Sequence, residues 1–196
     1  RGNFTIESGS KFVMGTTTPT TLSLEGNWTN LGGTFTAGKS TVRFDGTAAQ
    51  FLSKVSGNAL FYNLVVNNPN SVNANSVGTL VGDNGVYIDS LGSITLQNGN
   101  LITRSRYLSM HPNASLVRSG ATAGHIDGSM RRYIGTGTAA TIFEVGFGKS
   151  YTPYTISFNA DGGKAGYINV IADTIAPPPS ATNPVSWDNS TPTQIQ

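Results

Sequence analysis

At 196 residues, the chain has room for one elongated domain, or for one domain with a small partner. Only 11% of residues are charged and the net charge is +2, which gives no footing to a nucleic-acid partner. The absence of Cys excludes disulfides, thiolate nucleophiles and Cys-based zinc sites. The 24 Gly, with abundant Thr, Ser and Asn, suit tight turns and short strands and suit helices poorly. No stretch has helical apolar spacing, and none approaches the roughly 18 apolar residues of a membrane-spanning helix. The chain opens on Arg1-Gly2-Asn3-Phe4, already in a strand-like pattern, so the expectation is a processed product or a fragment.

In chain order, a short apolar-variable-apolar couplet recurs. A weak copy, Phe4-Thr5-Ile6, precedes Leu22-Ser23-Leu24, Val42-Arg43-Phe44, Leu64-Val65-Val66, Val86-Tyr87-Ile88 and Leu108-Ser109-Met110. From Leu22 onward the starting positions are almost evenly spaced. A near-constant period of roughly 20 residues marks a solenoid in which one coil stacks on the next. After each couplet come a polar turn and a second apolar patch, such as Trp28, Phe51-Leu52, Ile94-Thr95-Leu96 and Leu116-Val117. Two or three short strands per coil, with Gly and Asn at the corners, describe a parallel β-helix. Its inward columns are expected to run Phe4, Leu22, Val42, Leu64, Val86, Leu108 and Ile6, Leu24, Phe44, Val66, Ile88, Met110.

From about residue 125 the pattern changes to longer strands around Met130–Ile134, Thr141–Val145, Tyr154–Phe158 and Tyr167–Ile171, separated by Gly-rich turns. These read as an antiparallel module that caps the open end of the solenoid. The Pro-rich segment 176–196 reads as a linker or extended arm, with Val185 and Trp187 alternating like a strand that docks on a partner. The expected fold is therefore all-β: a parallel β-solenoid with coils of about 20–22 residues over 1–124, an antiparallel β cap over 125–175, and the arm.

Few residues suggest chemistry. Glu7, Glu25, Asp45 and Asp89 each follow a couplet. Stacked at the coil spacing, Glu7, Glu25 and Asp45 would repel one another, and a bound Ca²⁺ would relieve that. The simpler reading is solvated turn residues beside Lys11, Lys39 and Arg43. Clustered carboxylates on a β-helix face also suit polysaccharide cleavage, but no acid–base–cation cluster sharpens that reading. His111 and His125 fit no triad or metal spacing and read as exposed turn histidines. Arg104, Arg106, Arg118, Arg131 and Arg132, with Asp127 the one acid nearby, form a local basic bias suited to an anionic glycan or a neighbouring domain, or to guarding a strand edge. Trp28, Tyr62, Tyr87 and Tyr107 offer sugar-stacking faces or core filling.

Leu24-Glu25-Gly26-Asn27-Trp28-Thr29-Asn30, Gly33-Thr34-Phe35-Thr36, Phe61-Tyr62-Asn63-Leu64-Val65-Val66-Asn67-Asn68 and Leu96-Gln97-Asn98-Gly99-Asn100-Leu101-Ile102-Thr103 resemble the β-helical repeat regions of large secreted, adhesin-like surface proteins of Bacteroidota. The module from Gly128 through Tyr154 is similar to the same family. The resemblance covers roughly residues 20–175 and implies export by type IX secretion, although this stretch of chain contains no sorting domain. Asp89-Ser90-Leu91 and Asp173-Thr174-Ile175 match the motif that such proteins O-glycosylate, which makes Ser90 and Thr174 the implied sites.

The expected function is a non-enzymatic, extracellular structural or adhesive module at the cell surface. It would be a rigid stalk or filament subunit that associates with itself, with neighbouring domains or with glycans, and needs no cofactor beyond the Ca²⁺ considered above. The alternative is a carbohydrate-binding module or a fragment of a polysaccharide-degrading β-helix enzyme.

Overall fold

The computed structural model describes residues 2–77, 85–137, 139–158 and 165–173. The described residues contain β-strands and no helix. They wind a three-sided β-solenoid of about six turns, with small antiparallel sheets at its later end.

The first coil is β1 (Phe4–Ile6), β2 (Lys11–Val13) and β3 (Thr21–Leu24). The second is β4 (Trp28–Asn30), β5 (Thr34–Thr36) and β6 (Thr41–Phe44). β7 (Gln50–Lys54) and β8 (Ala59–Asn67) form the third, with β8 turning a corner between two sides. β9 (Val72–Val77) opens the fourth, and the long β10 (Gly85–Met110) rounds several corners into the fifth, which ends in β11 (Ser115–Arg118). β12 (Ala123–Ile134) begins the sixth coil. β13 (Thr141–Phe143), β14 (Val145–Phe147), β15 (Ser150–Tyr151), β16 (Tyr154–Ile156) and β17 (Gly166–Ile171) complete the described strands.

Each side has its own parallel ladder. Side one runs Phe4↔Trp28↔Leu52, then Gln50↔Val72↔Leu101↔Ile126↔Val145. Side two runs Ala59–Phe61 on Val86–Ile88, then Tyr107–Met110 on Ser129–Arg132, where β17 closes it antiparallel. The amide of His111 donates to the Ile88 carbonyl at 3.0 Å and joins these two stretches. Side three runs Leu22↔Val42↔Leu64↔Ile94↔Leu116.

The expected columns therefore hold in part. Leu22, Val42 and Leu64 stack as anticipated, but Ile94 follows Leu64, and Val86 sits over Ala59 on another side. Phe4 and Ile6 belong to side one, over Trp28 and Asn30. The cause is uneven coil length: the turn from Ile126 to its partner Val145 is short, and the turn from Leu64 to its partner Ile94 is much longer. Corners absorb insertions while the short strands keep register, so a couplet can recur at a constant interval and still change sides.

Inside, alternate residues of each strand make one continuous apolar core. Trp28, Phe44, Phe61, Leu64, Ile94, Leu108 and Phe143 are fully buried. Aromatic rings fill the early coils: Trp28 meets Phe35 and Phe61 edge-on at 5.7 and 5.5 Å between centroids, and Phe12 stacks on Phe35 at 6.2 Å. Aromatic pairs of this kind add about 0.5–1.5 kcal/mol beyond the area they bury.

A turn between sides three and one must carry main-chain groups through the interior, and amide side chains satisfy them. Buried Gln50 donates through Nε2 to the carbonyls of Leu24 (3.0 Å) and Gly26, and its Oε1 accepts from Gly46 N and from Asn68 Nδ2, both at 2.9 Å. Asn68 also donates to the Ala48 carbonyl at 2.7 Å and accepts from Asn70 N at 2.8 Å. One coil on, Gly99 takes a φ of +72°, and a Cβ there would fall 1.9 Å from the Asn68 carbonyl oxygen. The stack continues through Asn100, whose Oδ1 accepts from His125 N at 3.0 Å.

The parallel ladder passes the expected boundary at 124. β12 pairs parallel with β10 along much of its length, and β14 pairs parallel with β12. Met130–Ile134, read from sequence as part of an antiparallel module, is parallel to β10 on one edge and antiparallel to β17 on the other. Among the described residues the remaining antiparallel pairs are β13 with β16 and β14 with β15.

Candidate functional site

The three carboxylates considered for Ca²⁺ do not share a column. Glu7 follows β1 on side one, whereas Glu25 and Asp45 follow β3 and β6 on side three. Asp45 Oδ1 accepts from Arg43 Nε at 2.6 Å and from Asn67 Nδ2 at 2.9 Å, so a guanidinium and an amide already serve it. Asp89 follows the side-two stretch Val86–Ile88 and stands apart from that column. Among the described residues no three His, Asp or Glu side chains gather in a way that could hold a metal ion.

The histidine expectation is corrected at one position. His111 stays half-exposed in a turn, with its Nδ1 facing Asn113 N at 3.3 Å. His125 is 4% exposed. It flanks the inward Ile126 on β12, between Asn100 of the previous coil and Glu144 of the next. Its ring lies over Gly146, where a Cβ would fall 2.7 Å from Nε2, and 6.0 Å from the Tyr151 ring. The β14–β15 hairpin thus closes over the imidazole. Burial lowers its pKa below the usual 6.5, and nearby Arg118 adds to that while Asp127 opposes it.

The arginines named from sequence divide between fastening the cap and shaping an outer surface. Arg118 ends the inward column Leu24, Phe44, Val66, Leu96. There it donates to the Gly124 carbonyl at 2.7 Å and the Ala123 carbonyl at 3.0 Å, and lies 3.8 Å over the Tyr151 ring. Tyr151 in turn donates to Glu144. Arg132 reaches under the cap to the Ile142 carbonyl at 2.7 Å; burial pulls its pKa down and Glu144 pulls it back up. Arg104 pairs with Asp127 at 3.1 Å and lies 4.1 Å over Phe147. The other carboxylate oxygen of Asp127 is buried without a hydrogen-bond partner.

On the outer surface of side two, the inward residues Leu108, Met110, Met130, Ile168 and Val170 leave their neighbours facing out. Tyr87, Tyr107, Arg131, Tyr133 and Tyr167 gather there. The Arg131 guanidinium lies 4.9 Å from the Tyr167 ring and 5.8 Å from the Tyr107 ring, and Tyr133 meets Tyr167 edge-on at 5.4 Å. Burial raises the Tyr87 pKa, with smaller upward contributions from Tyr167 and Asp89. Beside this surface runs a groove of about 550 Å³ lined by Arg104, Arg106, Tyr107, Ser129, Asn169 and Asp173, among others. Asn169 Oδ1 is buried without a hydrogen-bond partner. Such a surface offers planar donors, an unmatched acceptor and aromatic faces.

Of the aromatic residues singled out from sequence, Trp28 is core and Tyr62 is half-buried, whereas Tyr87 and Tyr107 belong to this surface. Sequence reasoning missed Tyr133, Tyr167 and Asn169. The signal was the two-residue alternation in Met130–Ile134 and Tyr167–Ile171, which assigns their polar and aromatic members to one face. Ser90 is half-exposed beside Leu91, which projects at 72% exposure with φ +60°. Thr174, Val185 and Trp187 lie outside the described residues. Compared with known proteins, the chain matches no family model, no curated protein and no solved structure.

Proposed function

We propose that the chain is a non-enzymatic structural and adhesive module of an extracellular protein, a rigid β-solenoid serving as stalk or filament subunit at the cell surface. The observation that carries this reading is the unbroken apolar core that runs from Ile6 to Phe143 through every coil. Each coil covers the next with stacked side chains and main-chain hydrogen bonds along the axis, so bending or local opening exposes apolar area and breaks pairing together. At about 4.8 Å per coil, about six coils make a rod segment of roughly 29 Å. Export by a type IX route and an O-glycan on Ser90 belong to the same reading, supported by the resemblance and by the half-exposed position of Ser90.

Electron microscopy of the native material tests it: rods or filaments are expected, and a compact particle without a stalk would discard the reading. Removing residues 180–196 tests the filament version, because an arm that completes a partner's sheet is then lost. An unchanged polymer would leave only the stalk. A second reading, glycan binding, is supported by the arginine and tyrosine surface of side two.

A further inference from the structure

We propose that the outer surface of side two around Arg131, together with the groove beside it, binds an acidic glycan, one built of hexuronate or similarly charged pyranose units. This deepens the adhesive half of the reading above and rests on it.

The surface carries three guanidinium groups, Arg104, Arg106 and Arg131, against the carboxylates of Asp127 and Asp173. Asp127 pairs with Arg104 at 3.1 Å and Asp89 lies near Tyr87, so the formal charges balance, and the guanidinium the surface presents between aromatic rings rather than against a carboxylate is that of Arg131. Guanidinium groups take carboxylates in a two-pronged, charge-assisted geometry, which selects an acidic ligand over a neutral one. The tyrosine rings supply the other half of sugar recognition, an apolar face for the C–H edge of a pyranose ring. Tyr133 and Tyr167 are each 36% exposed, and Arg131 is held between Tyr107 and Tyr167 at 5.8 and 4.9 Å. Asn169, opposite Arg131 in the antiparallel pair, brings an acceptor that lacks a donor, and a sugar hydroxyl is a donor. At about 550 Å³ the groove falls in the range of small-ligand sites.

A bare metal ion fits this surface poorly, because guanidinium groups stand among its carboxylates and no three His, Asp or Glu side chains gather among the described residues. A nucleic acid shares the negative charge and the stacking, so the test must separate the two. Affinity electrophoresis of the full chain through gels containing polygalacturonate, alginate, dextran or an oligo-dT strand does so. Retardation is expected with polygalacturonate or alginate and not with dextran. Arg131→Met and Tyr133→Ser are each expected to weaken it tenfold or more with the β-sheet circular dichroism unchanged. Lys39→Gln, which removes the same charge from an exposed position in the second coil, should leave it intact. No retardation by either acidic polymer, equal retardation by oligo-dT, or equal loss in Lys39→Gln would each overturn the proposal. So would a Tyr133→Ser variant that folds and binds as well as the parent. Rods seen by microscopy without glycan retardation would leave the scaffold standing and remove only this site.

Discussion

Gln50 is the sharpest place to test how the corners are held. The side chain is 1% exposed and serves four polar groups. Replacing it with Leu keeps similar volume and removes all four bonds. Leu24 O still accepts from Asp45 N at 2.8 Å, and Asn68 Nδ2 still donates to Ala48 O at 2.7 Å. The Gly46 N–H and the Gly26 carbonyl lose the bonds Gln50 made to them. Stranding a buried group costs about 1–3 kcal/mol, so Gln50→Leu should destabilise by about 2–5 kcal/mol. For a chain of this size that is roughly 5–15 °C in Tm. Urea unfolding followed by circular dichroism, with a thermal melt beside it, measures the change. Gln50→Glu sharpens the test. Its carboxylate cannot donate to Leu24 O or Gly26 O, and burial raises its pKa above the unfolded value. The folded state then binds the extra proton, so the damage should shrink as pH falls. A Gln50→Leu cost under about 1 kcal/mol, or a Gln50→Glu defect that grows on acidification, would refute the view that amide side chains hold this corner.

Four other outcomes follow from the same geometry. Trp28→Ala, which empties the aromatic stack of the early coils, should cost about 3–5 kcal/mol in the same urea assay. His125 is held neutral by burial, so its stabilising contribution is full above 6.5 and declines as pH falls from there, because the unfolded chain takes the proton first. His125→Gln should flatten the melting temperature between pH 7.5 and 5, and a parallel decline in both proteins would remove His125 as the cause. Arg118→Lys loses the fork to the Gly124 and Ala123 carbonyls and the stack on Tyr151, a loss of about 1.5–3 kcal/mol. Hydrogen exchange at Ser150–Tyr151 should accelerate accordingly. Finally, because Asp45 already accepts from Arg43 and Asn67, and Glu7 stands on another side, millimolar Ca²⁺ should leave the melting temperature unchanged. A rise of several degrees would restore the carboxylate column as a metal site.

The sequence alone determined the kind of object this is. Apolar residues at alternate positions, repeated at a near-constant interval and separated by Gly- and Asn-rich corners, admit little but stacked short strands, because burial of alternate side chains is a local rule. The stacking of Leu22, Val42 and Leu64 was legible for that reason. Which side each later couplet occupies was not, because that depends on how much chain the corners between strands take up. Val86 follows Leu64 at the same interval that separates Leu64 from Val42, yet it lies on a different side. The same uncertainty hid the surface around Arg131. Tyr107, Arg131 and Tyr167 are far apart in the chain and meet because β12 pairs parallel with β10 on one edge and antiparallel with β17 on the other. His125 looked like a turn residue and became a buried one because the β14–β15 hairpin folds back across it, a contact made by a later coil of the chain that no local pattern encodes.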